Sequence, residues 1–371
     1  MKVLCINGYY YETSVYKELN KYLALNEIDL FTYVPRQRQS KKNHNYLISD
    51  KNVLVSHSYS FFEKFFFKHK NYLIAKDVSN KISLKKYQCL YTTYLFSGGY
   101  SAFMLSRKYE IPYVVSIRTT DFRLYFEKMI HLRKIGISIL LNASAVIFIS
   151  EAHKKELINT YLPEDIKNNI KEKSYVIPNG INQFWLDNKF TYKKLNKELP
   201  IKILYVGRID SNKNLLTTAR AINLLIEAGH QVEYNVIGEI KNKTIYNKLM
   251  NYEFVIYKGK LNQEDLIKEY RANDLFVMPS KFETFGLVYA EAMSQGLPII
   301  YTRGQGFDLL FEEGHVGYSV LASDYNDISQ KILDIVNRYE ILSENCINAV
   351  DMFQWEIAAK KYASVFSNII R

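Results

Sequence analysis

Cysteine is scarce in this sequence, and the cysteines that occur lie far apart. Three are present among 371 residues, Cys5, Cys89 and Cys346, and their spacing matches neither a disulfide framework nor a metal-binding motif. No cluster of cysteine and histidine indicates a zinc site either. We therefore expect free or buried thiols, as in proteins of the reducing cytosol.

Long apolar runs are also missing. The longest, residues 135–149, is interrupted by Asn142 and Ser144, so it predicts a helix end and a core strand rather than a membrane span. The first residues, MKVLCINGYYYE, have an apolar run too short for a secretory signal, and we expect a cytoplasmic protein. With 48% hydrophobic residues, the chain is long enough for two globular domains.

Basic residues outnumber acidic residues only in the first half of the chain. Residues 1–185 contain 27 Lys and Arg against 15 Asp and Glu, whereas residues 186–371 contain 22 against 23. This asymmetry predicts that the first half faces an anionic partner: a membrane surface, a nucleic acid or an acidic glycan. No nucleic-acid-binding motif accompanies the charge, so we expect no nucleic acid.

A phenylalanine- and lysine-rich stretch, SYSFFEKFFFKHKNY at residues 58–72, follows a basic polar loop at residues 36–45. Aromatic residues with a basic face are typical of a helix lying in a membrane interface, where anionic lipid adds about 1 kcal/mol per basic residue. The same pattern suits a core helix whose lysines reach out to water. The stretch alone leaves both open, and the charge asymmetry favours membrane contact.

Strand and helix patterns alternate through both halves, which predicts an α/β protein with two doubly wound domains. The first strand, residues 2–7, leads through Asn7 and Gly8 into a helix at residues 12–25, without the G-x-G-x-x-G fingerprint of dinucleotide binding. A turn at residues 177–181, IPNGI, predicts the hinge between the domains. The remaining predicted strands are residues 28–34, 87–93, 112–118, 144–149, 173–177, 201–206, 232–237, 254–257, 275–278 and 298–301.

Two acids bracket a predicted helix start, near Thr284 and Gly286, in the stretch Val277–Met293. Glu283 and Glu291 are eight positions apart, and a helix throughout would place them ~12 Å apart on one face, with Leu287 between them. The free N–H groups of a helix start attract anions. An anion site between two carboxylates suits a ligand with hydroxyls, then phosphates, then hydroxyls, which is the order in a nucleotide-sugar. An ordinary strand and helix with two surface acids explains the stretch equally well.

Two cations follow the predicted strand at residues 201–206. Arg208 and Lys213 would lie at the C-terminal edge of the sheet, beside a helix N-terminus, where they suit a diphosphate. Alone they would indicate no more than a basic loop. The acids at positions 283 and 291 belong to a parallel element of the same sheet, which favours a shared site.

Together these segments resemble the retaining GT-B glycosyltransferases, in particular glycosyltransferase family 4. The resemblance covers the second half well and the first half by architecture. The matching segments are the E-x7-E motif ETFGLVYAE at 283–291, GR and KN at 207–208 and 213–214, IPNGI at 177–181, RGQGFD at 303–308, and Phe353 with Trp355 at the last helix.

The resemblance implies a GT-B fold, two Rossmann-like domains with a cleft between them. Residues 1–182 would form the acceptor-side domain, joined by the last helix at about 354–371, and residues 183–353 the donor-binding domain. Glu283 would contact hydroxyls of the donor sugar, and Glu291 would hold the ribose. Arg208 and Lys213 would neutralise the diphosphate as the sugar–phosphate bond breaks.

Backbone positions complete the donor site that the resemblance implies. The N–H groups after Phe285, at Gly286 and Leu287, would help to bind the phosphates. Gly207 and Gly238 would also line the donor site, with Gly238 and residues 257–261 near the base.

Asn7 and Gly8 would approach the donor from the first domain. The sequence has no D-x-D pair of carboxylates, so we expect no metal and no cofactor, the nucleotide-sugar being a substrate.

One departure from the family concerns the acceptor side. Arg118 stands where the family commonly has a histidine in a His-x-x-Asp context, whereas Asp121 is kept on the acceptor side. Arginine stays protonated and cannot act as a general base, but it can stabilise a leaving phosphate or bind an acidic acceptor. We therefore count Arg118 among the catalytic candidates.

The favoured function is a retaining, metal-independent bacterial glycosyltransferase of the hexosyltransferase type. It would move a sugar from a UDP- or GDP-sugar to a cell-surface glycan, such as capsule or O-antigen, or to a lipid-linked acceptor. The anionic inner face of the plasma membrane is an expected partner. A nucleotide-sugar epimerase of the same fold and a non-catalytic GT-B subunit are the alternatives.

Overall fold

The computed structural model describes residues 1–38, 51–196 and 198–370. The chain forms two compact units. Unit 1 consists of Met1–Ile149, His153–Asn179 and Trp355–Arg371, and unit 2 of Ser150–Ala152 and Gly180–Gln354. The chain passes from unit 1 to unit 2 between Asn179 and Gly180, inside the IPNGI turn.

Unit 1 is built on a seven-stranded parallel sheet in the order β3-β2-β1-β4-β5-β6-β7. The order reverses between β1 and β4, and ligands of doubly wound sheets bind at the C-terminal ends of the strands beside such a point. The strands are β1 (Lys2–Ile6), β2 (Asp29–Gln37), β3 (Val53–Tyr59), β4 (Cys89–Thr92), β5 (Tyr113–Ile117), β6 (Ala145–Phe148) and β7 (Ser174–Val176).

Unit 2 contains a six-stranded parallel sheet in the order β10-β9-β8-β11-β12-β13. Here the order reverses between β8 and β11, whose residues Ile203 and Leu275 are paired. The strands are β8 (Ile201–Val206), β9 (Val232–Ile237), β10 (Val255–Tyr257), β11 (Leu275–Val277), β12 (Ile299–Thr302) and β13 (Gly317–Val320). The prediction of an α/β protein with two doubly wound sheets is confirmed.

Helices connect the strands of both sheets. In chain order they are α1 (Val15–Leu25), α2 (Phe67–Lys81), α3 (Gly99–Tyr109), α4 (Arg133–Asn142), α5 (Glu151–Glu156), α6 (Glu164–Glu172), α7 (Gln183–Asp187), α8 (Leu215–Glu227), α9 (Lys243–Leu249), α10 (Gln263–Ala272), α11 (Leu287–Ser294), α12 (Tyr325–Asn337), α13 (Tyr339–Ala349) and α14 (Trp355–Ile370). Within the described ranges, none of them is both long and apolar enough to cross a bilayer.

Both faces of the first sheet are buried. Leu4 and Ile6 of β1 join the core that includes α2 and α3, whereas Val3 and Cys5 join the core on which α1 and α14 pack. Parallel strands covered on both faces are apolar throughout, which is why most of them could be predicted from the sequence. Helix α14 returns the end of the chain to unit 1, where Tyr362 and Phe366 are buried.

The second and third strands differ from the sequence predictions. Strand β2 does not end at Pro35 but continues to Gln37, because its pairing with β3 extends beyond the proline. Strand β3 was not predicted, since its middle, Ser56-His57-Ser58, is polar. Of the basic loop at 36–45, residues 36–37 end β2, and residues 39–45 lie outside the described part of the chain.

The phenylalanine-rich stretch is divided between two environments. Helix α2 begins only at Phe67, and its buried residues Asn71, Ile74 and Val78 make it a core helix. The residues just before it form a short 3₁₀ turn, Glu63–Phe65, none of whose residues is buried. Neither the membrane-interface helix nor the core helix considered from the sequence therefore describes the whole stretch.

Candidate functional site

Lys213 and Glu283 form an ion pair at the C-terminal edge of the second sheet. The Lys213 Nζ lies 2.7 Å from Glu283 Oε2, and the side chains are 15% and 13% exposed. Lys213 follows β8 and Glu283 follows β11, so the parallel neighbours carry both residues to one edge. The pair unites two of the predicted catalytic residues, which are 70 positions apart in the chain.

Arg208 belongs to the same loop but remains open to solvent. Its side chain is 63% exposed, and its Nε lies 3.6 Å from Asp210 Oδ2. The other oxygen of Asp210 accepts hydrogen bonds from the backbone N–H groups of Asn212 and Lys213. Asp210 therefore shapes the loop, and the exposed guanidinium of Arg208 is available to an anionic ligand.

Asn212 joins the β8–α8 loop to the segment that precedes Glu283. Its side-chain amide donates to the Phe282 carbonyl at 2.8 Å, and its side-chain oxygen accepts from the Phe282 N–H at 3.0 Å. The Asn212 carbonyl also accepts from the Lys281 N–H. Sequence reasoning missed this residue, because a polar residue in a loop does not indicate its distant partner.

The RGQGFD loop holds Glu283 from the other side. Gln305 Oε1 accepts from the Glu283 N–H at 3.0 Å, and the Gly306 N–H donates to the Glu283 carbonyl at 3.0 Å. A Cβ atom on Gly306 would lie 2.0 Å from the Thr284 carbonyl oxygen, so only glycine fits there. This glycine therefore permits the close backbone approach that positions Glu283.

We expect Gly306→Ala to lower turnover by roughly 10- to 100-fold, because the added methyl group must displace the backbone at Thr284 and shift Glu283 by a fraction of an ångström or more. Steady-state kinetics measure the effect. Gly229→Ala is the control: its φ is +91°, but nothing lies within 4 Å of the added atom. That variant should lose about 1–2 kcal/mol of stability, the cost of a Cβ atom in a left-handed conformation, without losing turnover per folded molecule. Equal losses of turnover in both variants would contradict the positioning role.

The helix start lies at the later of the two predicted residues. Helix α11 begins at Leu287, with Gly286 as its N-cap residue at a φ of +80°. Glu283 thus precedes the helix, so the condition of a helix throughout is not met and the ~12 Å spacing on one face does not apply to it. The two acids have different hydrogen-bond partners: Glu283 accepts from Lys213, and Glu291 accepts from Tyr270.

Glu291 lies half-buried on the second turn of α11. The Tyr270 hydroxyl donates to Glu291 Oε2 at 3.4 Å. Burial raises the pKa of Glu291 to about 7, although the Tyr270 hydroxyl and the Trp185 indole act in the opposite direction. A carboxyl group of this kind can accept hydrogen bonds from hydroxyls when ionised and donate one when protonated. Tyr270 and Trp185 were not predicted, since only the fold brings α7 and α10 to this helix.

For the other predicted donor-binding residues of the motif, Phe285, Gly286 and Leu287, contact with a donor stays a prediction. The Phe285 ring is 3% exposed and packs against Phe307 and Phe353, with ring centroids 5.9 and 5.8 Å apart. It therefore anchors the motif in the core. Gly286 and Leu287 lie at the N-terminus of α11, where N–H groups without intrahelical partners attract anions.

The glycines after β8, β9 and β10 are packed together. The Gly207 N–H donates to the Ile237 carbonyl, and the Gly238 N–H donates to the Gly259 carbonyl. A Cβ atom on Gly238 would lie 1.8 Å from the Gly207 oxygen. The Tyr257 hydroxyl donates to the Gly238 carbonyl at 2.9 Å. The structure thus places Gly207 and Gly238 together at the edge that carries Lys213.

Asn7 and Gly8 lie in unit 1, at the C-terminal end of β1. Asn7 is buried, and its side-chain oxygen accepts from the Tyr9 N–H at 2.9 Å. The Gly8 carbonyl accepts from Arg36 Nη1, and Gly8 lines a cavity of about 170 Å³ with Arg36, Tyr59 and Lys70. Contact of these two residues with a donor stays a prediction.

Asp121 is fully buried and serves the backbone. Its carboxylate accepts hydrogen bonds from the N–H groups of Leu95, Phe96 and Arg118 at 3.0 to 3.2 Å. Burial raises the pKa of Asp121 to about 6, against the lowering effect of these three hydrogen bonds. Asp121 thus ties the loops after β4 and β5 together, which gives it a positioning role.

Arg118 is a buried cation surrounded by tyrosines. It is 4% exposed, and its guanidinium carbon lies 5.9 Å from the centre of the Tyr16 ring. Its Nη1 donates to Asn179 Oδ1 at 3.5 Å, whereas Nε and Nη2 have no hydrogen-bond acceptor. In the described ranges it takes part in no ion pair. The surrounding tyrosines are Tyr16, Tyr91, Tyr94 and Tyr362, which raise the pKa of Arg118 against the effect of burial.

Two consecutive family models match the chain. The model described as Glycosyltransferase Family 4 matches residues 13–183, and the model described as Glycosyl transferases group 1 matches residues 187–351. The chain belongs to the GT-B glycosyltransferases of the family 4 type. The resemblance in the sequence is therefore confirmed, and the chemistry of this enzyme is glycosyl transfer.

Relatives and solved structures cover most of the glycosyltransferase. An uncharacterized glycosyltransferase of Methanocaldococcus jannaschii is 26% identical, over 86% of each chain. The capsular polysaccharide biosynthesis glycosyltransferase CapM of Staphylococcus aureus is 27% identical, over 65% of this chain and 64% of CapM. Sucrose-phosphate synthase of Thermosynechococcus elongatus has a TM-score of 0.76 at 17% identity, over 99% of each chain. Anabaena HepE in complex with UDP has a TM-score of 0.72 at 16% identity, over 99% of this chain and 100% of HepE. These structures share the GT-B fold with the glycosyltransferase.

Proposed function

We propose that this glycosyltransferase moves a hexose, with retention, from a UDP- or GDP-sugar to a growing cell-surface glycan or a lipid-linked acceptor. The pathway would be bacterial capsule or O-antigen synthesis, at the cytoplasmic face of the membrane. The ion pair between Lys213 and Glu283 carries the proposal, because it places a cation and a carboxylate beside the N-terminus of α11.

The roles of the charged groups follow from the chemistry of the bond that breaks. Negative charge develops on the diphosphate as the sugar leaves, and Lys213, Arg208 and the N–H groups at the start of α11 stabilise it. Glu283 orients the sugar through its hydroxyls, and Glu291 binds the ribose. Because these cations neutralise the leaving group, the proposed reaction needs no metal ion.

Two relatives support the donor and the pathway. HepE, whose fold is shared, was solved with UDP, and CapM acts in capsular polysaccharide biosynthesis. We extend both properties to this chain as part of the proposal.

A thermal-shift screen across nucleotide-sugars tests the donor. The correct donor at 100 times its dissociation constant should add about 2.7 kcal/mol of stability, whereas unrelated nucleotides should add little. Turnover with that donor should persist in EDTA, and NMR of the product should show the anomeric configuration of the donor.

The same assays separate the alternatives. An epimerase would convert the donor without an acceptor, and a non-catalytic subunit would bind the donor without hydrolysing or transferring it. Stabilisation by no nucleotide-sugar at all would contradict the proposed donor site.

A further inference from the structure

Four phenylalanine rings before α2 face solvent. Phe61, Phe62, Phe65 and Phe66 are 53%, 76%, 67% and 65% exposed, and we call them the Phe surface. Large apolar side chains normally gain stability from burial, so a cluster of exposed rings indicates a surface that another body covers.

The Phe surface is held in shape by local contacts. The Glu63 carboxylate accepts a hydrogen bond from the Ser60 N–H, which closes the turn. The Phe61 ring packs edge-to-face against Phe62 and Phe65, with centroids 5.8 and 5.5 Å apart. The turn therefore presents the rings of Phe61, Phe62 and Phe65 as one group, before any partner is bound.

Phe67 anchors this turn to unit 1. Its ring contacts Phe96, Tyr100 and Tyr125, with centroids 5.7 to 6.0 Å apart. One phenylalanine of the stretch is thus used by the core, and the four before it are left outside. Phe67 fixes the start of α2 against unit 1, and the rings that precede it stay outside the core.

The chain segment that carries the Phe surface is strongly basic. Residues 51–86 contain eight lysines and two acidic residues. Of the two acids, Glu63 is bound by the turn, and Asp77 pairs with Lys81 at 3.0 Å. Lys64 and Lys68 are exposed within and beside the Phe surface. Burial, and after it the nearby charge of Lys64, lowers the pKa of Lys70.

We propose that the Phe surface docks this glycosyltransferase on an anionic lipid bilayer. The rings enter the interface between headgroups and acyl chains, and Lys64 and Lys68 contact the anionic headgroups. The combination of apolar rings and excess positive charge selects this occupant, since a bilayer of anionic lipid offers both complementary features. The proposed function places the reaction at the cytoplasmic face of the membrane, and this inference names the surface that would touch it. It rests on that part of the proposed function.

Co-sedimentation of the full chain with vesicles tests the inference without donor or turnover. Vesicles of phosphatidylcholine with phosphatidylglycerol should bind the chain, and vesicles of phosphatidylcholine alone should bind it more weakly. The double variant F62S/F66S should bind anionic vesicles ~100-fold more weakly, at about tenfold for each partly inserted ring. K64Q/K68Q should bind anionic vesicles about fivefold more weakly for each lysine removed. High salt should abolish this contribution of the lysines and leave the contribution of the rings.

A matched control removes exposed apolar residues elsewhere. Leu25 and Ile341 are 70% and 58% exposed, so L25S/I341S changes the apolar surface by a similar amount away from the Phe surface. This control should bind vesicles like the unchanged chain. The inference is overturned if the unchanged chain binds neither type of vesicle, or if F62S/F66S and the control bind equally well.

Self-association is the competing occupant, and sedimentation velocity measures it. The inference requires that the unchanged chain and F62S/F66S have the same oligomeric state. A dimer that F62S/F66S converts to a monomer, without vesicle binding, would assign the Phe surface to a second copy of the chain. Donor-induced thermal shifts of F62S/F66S should stay unchanged, so a failure of docking is distinguishable from a failure of the donor site.

Discussion

Replacing Glu283 or Lys213 with alanine is expected to lower turnover by about 10²- to 10³-fold, the usual effect of removing one electrostatic stabiliser from an active site. The two side chains pair at 2.7 Å, and each single replacement leaves the other charge without its partner. The chain should remain folded, at a cost of about 2 kcal/mol for a partly buried charged hydrogen bond. Turnover below the unfolding transition and thermal unfolding together measure both effects.

The two replacements should not be additive. Because Lys213 and Glu283 act as one unit, the double variant should lose little more than the worse single variant. Arg208→Ala should lower turnover with little effect on unfolding, since its side chain is 63% exposed.

Lys331→Ala is the matched control for this series, because Lys331 pairs with Asp334 at 2.8 Å on α12 in the same unit. Near-normal turnover in the Glu283, Lys213 and Arg208 variants would show that the donor site lies elsewhere.

Replacing Arg118 with methionine is expected to raise stability while it lowers turnover by about 10²- to 10³-fold. Methionine keeps most of the volume but removes a buried charge whose Nε and Nη2 have no acceptor, and such replacements can stabilise by about 1–4 kcal/mol. A stabilised but inactive variant indicates a residue retained for function rather than for folding. Thermal unfolding and turnover per folded molecule are the measurements.

Two further variants separate the roles of Arg118. Arg118→Lys keeps the charge but loses the planar guanidinium, so we expect partial activity if the residue binds an anion. Arg133→Met is the control in unit 1, because Arg133 Nε donates to the Phe126 carbonyl at 2.6 Å. It should lose stability and keep turnover. If Arg118→Met loses stability and keeps turnover in the same way, Arg118 is structural.

The sequence predicted the framework well where burial determines the pattern. Strands such as β5 and β6 are buried throughout, and their apolar runs were visible. Strand β3 was missed because its polar middle lacks this pattern. The start of α11 was predicted near Thr284 and Gly286, and only the structure shows that Gly286, in a left-handed conformation, precedes the first turn and leaves Glu283 outside the helix.

The sequence by itself determined the α/β class, the family and the residue types of the candidate site, because these depend on local patterns and short motifs. Only the tertiary structure decided which of these residues meet. The order of β8 and β11 pairs Lys213 with Glu283, and folding collects tyrosines from positions 16, 91, 94 and 362 around Arg118. It also decided that α2 is a core helix and that the four rings before it are exposed. Such pairings depend on contacts between segments far apart in the chain, which local patterns do not encode.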